Sequence, residues 1–212
     1  MKSYILLVLT LLLITSCTYS QNLNNEIKKG STTPLPNEAI ATFAEGCFWH
    51  SEIVFQSLAG VRDAVSGYSG GTNPSPDYEL VSTGATGHAE SVQIYYDPSL
   101  ISFETLVKAF FASQNPTTLN RQGNDAGTQY RSVAFYRNDA EKKTIESEIK
   151  RLTDSKKYSN KIVTEVVPFK KFYPAEKYHQ EYIYNNPDEG YVQHVSIPEF
   201  LNFKKEFKAK YK

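Results

Sequence analysis

The sequence predicts an α+β, or mixed α/β, single domain with one β-sheet and flanking helices. Three observations predict it. Strand-like and helix-like segments mix along the 212 residues without a strict βαβα rhythm. An apolar fraction of 40% is enough for a real core and excludes disorder along the whole chain. The length fits one domain comfortably, and no internal repeat is visible.

Residues 39–44 form a short apolar segment, read as a strand, that ends at Glu45-Gly46. Residues 47–58 read as a helix closed by Gly60, with Cys47, Val54, Phe55 and Leu58 sharing a face at the 3.6-residue period. Residues 61–68 are a second strand, and 69–86 a loop rich in Gly, Pro and Ser. Residues 89–96 alternate, with Val92, Ile94 and Tyr96 on one face and Ser91, Gln93 and Tyr95 on the other; Asp97-Pro98 stops the strand. Ser102 is the N-cap candidate of a helix through Ser113. Residues 115–128 read as a polar loop and 131–136 as a strand. Asn138 or Asp139 caps a helix through Asp154 that carries Glu and Lys at helical spacings. Residues 162–167 form a strand ended by Pro168, and Pro174 opens a helix over 174–184. Residues 199–210 are a last amphipathic helix.

The 23 basic and 23 acidic residues cancel, which argues against electrostatic capture of nucleic acid. Two cysteines cannot build a disulfide-dense scaffold or a cysteine-based zinc site. The four histidines, His50, His88, His179 and His194, show no short-range pair at metal-ligand spacing, so no metal is expected.

The start of the chain reads as an address. Lys2 precedes an apolar run from Tyr4 to Thr15. At roughly 12 residues the run is short of the ~20 a membrane-spanning helix needs and has the size of a signal-peptide apolar region. Ile14-Thr15-Ser16-Cys17 resembles a bacterial lipobox, in which the cysteine is lipidated and becomes the new N-terminus. An ordinary secretory signal or an uncleaved anchor is the alternative. The expectation is a signal peptide at 1–16, a lipid-attachment Cys17 with a flexible polar tether through 37, and the folded domain over 38–212. The protein would then sit in the cell envelope, outside the cytoplasm, lipid-anchored to a bacterial membrane. Cys47 would be its single free thiol.

Four segments carry chemistry. In Gly46-Cys47-Phe48-Trp49-His50-Ser51-Glu52 a thiol sits where a strand turns into a helix. Unpaired N–H groups and the positive helix end favour a thiolate there. Phe48 and Trp49 can wall an apolar pocket; a buried structural cysteine beside core aromatics is the competing reading. In Thr86-Gly87-His88-Ala89-Glu90 the acid shares the apolar face of its strand, which raises a carboxyl pKa and suits a general acid. A strand-end glutamate escaping into solvent is the alternative. Residues 123–132 offer glycines, amides, Asp125 and Tyr130 for a small polar ligand, or simply a well-satisfied turn. In 175–182, His179 is expected to fix packing rather than perform catalysis.

Together these segments, in order over residues 39–191, resemble the A-type methionine sulfoxide reductases. The resemblance implies an α+β two-layer sandwich with a mixed sheet. It implies reduction of methionine-S-sulfoxide, in oxidised proteins or peptides and free, without a bound cofactor. Cys47 matches the nucleophile and Glu90 the proton donor. Phe48 and Trp49 match the pocket for the substrate's S-methyl group. Tyr78, Asp125 and Tyr130 match the residues that hydrogen-bond the sulfoxide oxygen or an active-site water. An external thiol, from a thioredoxin-like protein or a small molecule, would regenerate a monomeric enzyme. One departure stands out. Many relatives resolve the sulfenic acid with further cysteines, yet here Val192 follows Gly190-Tyr191, and Ser82 stands where some relatives carry another cysteine. A cysteine hydrolase using His88 or His179 as base, and a lipid-anchored binding module gripping apolar side chains, are the rival readings.

Overall fold

The computed structural model describes residues 31–212; the signal segment at 1–16, Cys17 and the tether through residue 30 lie outside the described residues. The last tether residues are held against the domain. Asn37 donates to Asp97, and Glu38 pairs with Arg62, which also reaches the Thr33 carbonyl.

In chain order the elements are β1 (Ala39–Glu45), α1 (Phe48–Gln56), β2 (Val61–Ser69), α2 (Tyr78–Ser82), β3 (Ala89–Tyr96) and α3 (Phe103–Ala112). There follow β4 (Arg121–Gln122), β5 (Asp125–Ala126), β6 (Ser132–Tyr136), α4 (Asp139–Asp154), β7 (Glu165–Pro168) and β8 (Phe172–Pro174). Last come α5 (Tyr182–Asn185) and α6 (Ile197–Glu206), the latter preceded by a π-turn over Val192–Ser196. Six strands form one sheet in the order β7-β6-β1-β3-β2-β8. All its pairs are antiparallel except β6–β7, so the sheet is mixed, as the family resemblance implies.

The helices bury their apolar sides on one face, where Phe43, Val92 and Ile94 meet Val54, Phe55, Leu106, Phe110, Ile145 and Phe203. On the other face Ala44, Ala89, Val133 and Phe135 pack with Val167 and Phe169. Strand β3 is paired along both edges, by β1 and β2, and both its faces are covered by packed side chains. Ser91, Gln93 and Tyr95 are therefore buried as well, and the alternation of 89–96 separates two interiors rather than an inside from an outside. On that second side Gln93 donates to the Tyr95 hydroxyl at 2.5 Å and Arg62 lies over the Tyr95 ring.

The expected caps form. Ser102 Oγ accepts from the Thr105 N–H at 3.1 Å. Of the two candidates for the long helix it is Asn138 that caps, accepting from Glu141 at 2.9 Å. The structure corrects other elements. The loop at 69–86 contains α2, which Asp77 caps through the Leu80 N–H, and the loop at 115–128 contains the β4–β5 hairpin. The strand expected over 162–167 is β7, shifted toward its C-terminal end; an edge position lets it include Pro168.

The helix expected over 174–184 does not form. Pro174 ends β8, a single 3₁₀ turn spans Lys177–His179, and only Tyr182–Asn185 is α-helical. The cause is distant in sequence. The Gln180 side chain accepts from Ser66 N–H at 3.0 Å and donates to Ser66 C=O at 2.9 Å, extending the edge of β2 as a strand would. Glu181 then turns the chain with a left-handed φ of 53°. These tertiary bonds outweigh the helical propensity of the segment.

Candidate active site

Strand β1 delivers Gly46, at φ 101°, and then Cys47 as the N-cap residue of α1. No side chain caps this helix start, which leaves the Trp49 and His50 N–H groups to face the thiol. Phe48, the first helical residue, donates its N–H to Glu90 Oε2 at 3.1 Å. Glu90 thus points to the helical side of β3, as its place in the alternation predicts.

Cys47, Phe48, Trp49, Tyr78, Glu90, Asp125 and Tyr130 line one pocket of about 270 Å³. Every residue proposed for the site from the sequence is there, apart from Cys17, which lies outside the described residues. Three residues that sequence reasoning missed complete the lining: Tyr182, Glu189 and Tyr191. Tyr182 lies flat on Trp49, with ring centres 3.6 Å apart and planes 4° apart. Tyr191 meets Trp49 edge-on and donates its hydroxyl to Asp125 at 2.6 Å. The Gly190-Tyr191 pair was the one local signal for this wall. Behind it, His179 Nδ1 accepts from the Trp49 indole N–H at 3.1 Å, and its ring packs on Phe48 and Tyr78. The expectation that His179 fixes packing fits this geometry, although it does so from a 3₁₀ turn rather than a helix.

Burial holds the Glu90 carboxyl up at about 8; the Phe48 N–H opposes the shift and the Asp125 carboxylate adds to it. Glu90 is therefore mostly protonated at neutral pH. Burial and the Glu90 carboxylate likewise keep the Tyr78 and Tyr130 phenols above their usual range, so both remain donors. For Cys47 the sequence expectation is corrected. Burial, with the carboxylates of Glu90 and Asp125, pushes the thiol well above its usual range, and the N–H groups of Trp49 and His50 offset this only in part. Here desolvation outweighs the helix start. A protonated Glu90 removes the stronger of the two carboxylate influences on the thiol.

Neither candidate histidine base is placed beside the thiol. His88 accepts from Gly71 N–H, meets the Asn73 carbonyl, and lines a separate groove with Arg131 and Lys170. His179 is engaged with Trp49. Among the described residues no group of three or more His, Cys, Asp or Glu side chains could hold a metal ion.

A thiol and a buried carboxylic acid that share one pocket, with neither candidate histidine in its lining, fit an oxidoreductase that works through a thiol better than a cysteine hydrolase. The comparisons narrow this class. A family profile described as peptide methionine sulfoxide reductase matches residues 39–211. The chain is 47% identical over 175 residues to the peptide methionine sulfoxide reductase MsrA of Polynucleobacter asymbioticus, covering 82% of this chain and 92% of that one. To the MsrA of Pasteurella multocida it is 46% identical over 172 residues, covering 81% and 98%. Among solved structures, reduced Mxr1 from Saccharomyces cerevisiae superposes with a TM-score of 0.68 at 35% identity, over 77% of this chain and 94% of that one. Methionine sulfoxide reductase A of Corynebacterium diphtheriae gives 0.65 at 29% identity, over 77% and 89%. The chain belongs to the peptide methionine sulfoxide reductase family. It is an oxidoreductase that reduces methionine sulfoxide and repairs oxidised proteins.

Proposed function

We propose that Cys47, as thiolate, attacks the sulfur of a methionine-S-sulfoxide while Glu90 gives its proton to the sulfoxide oxygen. A neutral sulfoxide sulfur is a poor electrophile until its oxygen is protonated, so both groups are needed. The attack forms a bond between Cys47 Sγ and the methionine sulfur. The protonated oxygen then passes as hydroxyl from the methionine sulfur to Sγ while that sulfur–sulfur bond and the original sulfur–oxygen bond break, so methionine leaves and Cys47 becomes a sulfenic acid. Methionine sulfur is reduced by two electrons and Cys47 sulfur is oxidised by two. Phe48 and Trp49 receive the S-methyl group; Tyr78 and Tyr130 donate to the oxygen or to a water beside it, and Asp125 shares that polar side. The observation that carries the reading is the shared pocket of Cys47 and a Glu90 that burial keeps protonated. Turnover of a methionine-S-sulfoxide peptide with a dithiol, abolished by Cys47→Ser, tests it. Substantial turnover in that variant removes Cys47 from the chemistry.

The sulfenic acid is resolved from outside. Cys47 is the only free cysteine among the described residues. Val192 is buried against Ile53 and Ile183. A small thiol or a thioredoxin-like protein attacks Cys47, forms a mixed disulfide and releases water; a second thiol then frees the enzyme. A related protein, Mxr1 from Saccharomyces cerevisiae, has been solved in complex with Trx2, at 26% identity to this chain. The enzyme works as a monomer on oxidised proteins, peptides and free methionine sulfoxide, held in the cell envelope by lipid on Cys17. The apolar run ending at Ser16-Cys17 supports that placement. Cys17→Ala should release the protein from the membrane fraction or block its processing. An unmodified Cys17 with unchanged attachment contradicts it.

A further inference from the structure

Glu52 lies one turn beyond Trp49 on α1 and is buried, yet it lines no part of the pocket. Donors converge on its carboxyl. Ser66 Oγ reaches Oε2 at 2.6 Å, and Gln56 Nε2 reaches Oε1 at 3.1 Å. The Glu181 N–H reaches Oε1 at 2.7 Å. Glu181 occupies the left-handed region at φ 53°, ψ 32°, a conformation that a residue with a Cβ adopts only under constraint. On its N-terminal side Gln180 is fixed to β2 through both Ser66 backbone groups. On its C-terminal side Tyr182 stacks on Trp49. The turn that swings the chain from the sheet edge onto the indole is thus held, at its strained residue, by a carboxyl on the helix that also carries Cys47 and Trp49.

We propose that Glu52 is a positioning residue which, through the Glu181 N–H, holds Tyr182 flat against Trp49 and so sets the orientation of the indole that walls the substrate pocket. It touches no reacting atom. Ser66 and Gln56 orient the carboxyl, and Asp63 of β2 shares the same Gln56 amide at 3.2 Å. Tyr182 supports one face of the indole and His179 fixes its N–H; both come from the segment that Gln180 and Glu181 anchor.

The test uses the full chain, in which Trp49 is the only tryptophan and its emission reports its surroundings directly. Glu52→Met, which keeps the length of the side chain but removes the acceptor of the Glu181 N–H, should shift Trp49 emission to the red. It should raise the KM for a methionine sulfoxide peptide about tenfold, the scale of one lost buried hydrogen bond. The single-turnover rate at saturating substrate should change much less. Glu52→Asp, whose shorter carboxylate retreats from the Glu181 N–H, should do the same more mildly and carries the test should the Met variant fail to fold. Adding Glu181→Gly to either variant makes the left-handed turn intrinsically accessible and should recover both emission and KM. Wild-type emission and KM in both Glu52 variants, or no recovery with glycine at 181, overturns the proposal. The kinetic arm rests on the sulfoxide reading above. The emission arm needs no substrate, so failure of that reading shows separately, as a wild-type enzyme without turnover.

Discussion

The Phe48 N–H and the Glu90 carboxyl are joined by a 3.1 Å hydrogen bond between the first residue of the cysteine-bearing helix and the central strand. Because Cys47 and Phe48 are consecutive, this bond fixes the acid relative to the thiol. It occupies Oε2 and leaves Oε1 to carry a proton toward the pocket. It also explains why desolvation alone does not set the Glu90 pKa: the donated N–H favours the charged form and holds the shift to about 8.

Glu90→Gln keeps the acceptor for Phe48 but has no acidic proton. Single-turnover formation of the sulfenic acid should slow by about 10²–10⁴-fold, the usual scale for a lost general acid, with substrate affinity far less affected. Rapid-quench measurement of methionine released in one turnover checks this. An unchanged rate assigns the proton to Tyr78 or Tyr130.

The same carboxyl makes both rate and stability depend on pH. Glu90 is lifted from 4.5 to about 8, so the folded chain holds a proton that the unfolded chain releases. Its contribution to stability is complete at pH values below about 4.5 and is lost as pH rises toward 8. Glu45, lifted to about 8, and Glu52, lifted to about 7, both chiefly by burial, act with the same sign. Glu90→Gln should therefore be more stable than the parent at pH 8, by roughly 2–4 kcal/mol at about 1.4 kcal/mol per pKa unit, and nearly equal to it at pH 4. Denaturant titrations at several pH values measure this; a difference independent of pH contradicts it. The parent's single-turnover rate should fall above pH 8 as the acid ionises, a limb absent from the variant.

Gly67 of β2 sits where a Cβ would overlap the Tyr173 carbonyl and the Phe172 ring of the neighbouring edge strand. Gly67→Ala should push β8 outward and cost about 1–3 kcal/mol, the range for overpacking a well-filled site. The segment that follows carries His179 and Tyr182, so Trp49 emission should change with it. Parental thermal stability together with parental emission contradicts this account of the wall.

Much of this was legible in the sequence because the signals are local. Gly46 before Cys47, the alternation of 89–96 with Glu90 in phase, and the caps at Ser102 and Asn138 each act within a few residues. The unread part depends on contacts across the fold. Gln180 leaves a helical pattern to bond Ser66, over a hundred positions earlier, while Tyr182 opens a four-residue helix and Tyr191 directly precedes a π-turn, stretches too short or too irregular in pitch for a period to betray the face they present. The raised pKa of the Cys47 thiol is illegible for a similar reason: the helix start is visible in sequence, whereas the burial that outweighs it is not. Asp77 was a readable cap for α2, hidden among prolines, serines and glycines that signal a loop.

The most direct measurement is the intact mass of the chain lacking residues 1–17 after one turnover with a methionine-S-sulfoxide peptide and no thiol. With Cys47 as the single cysteine, an intramolecular disulfide is impossible. The expected product is the protein heavier by one oxygen on Cys47, trappable by a sulfenic-acid reagent, with one methionine formed per enzyme. Methionine formed while Cys47 remains fully reduced would contradict the single-cysteine cycle.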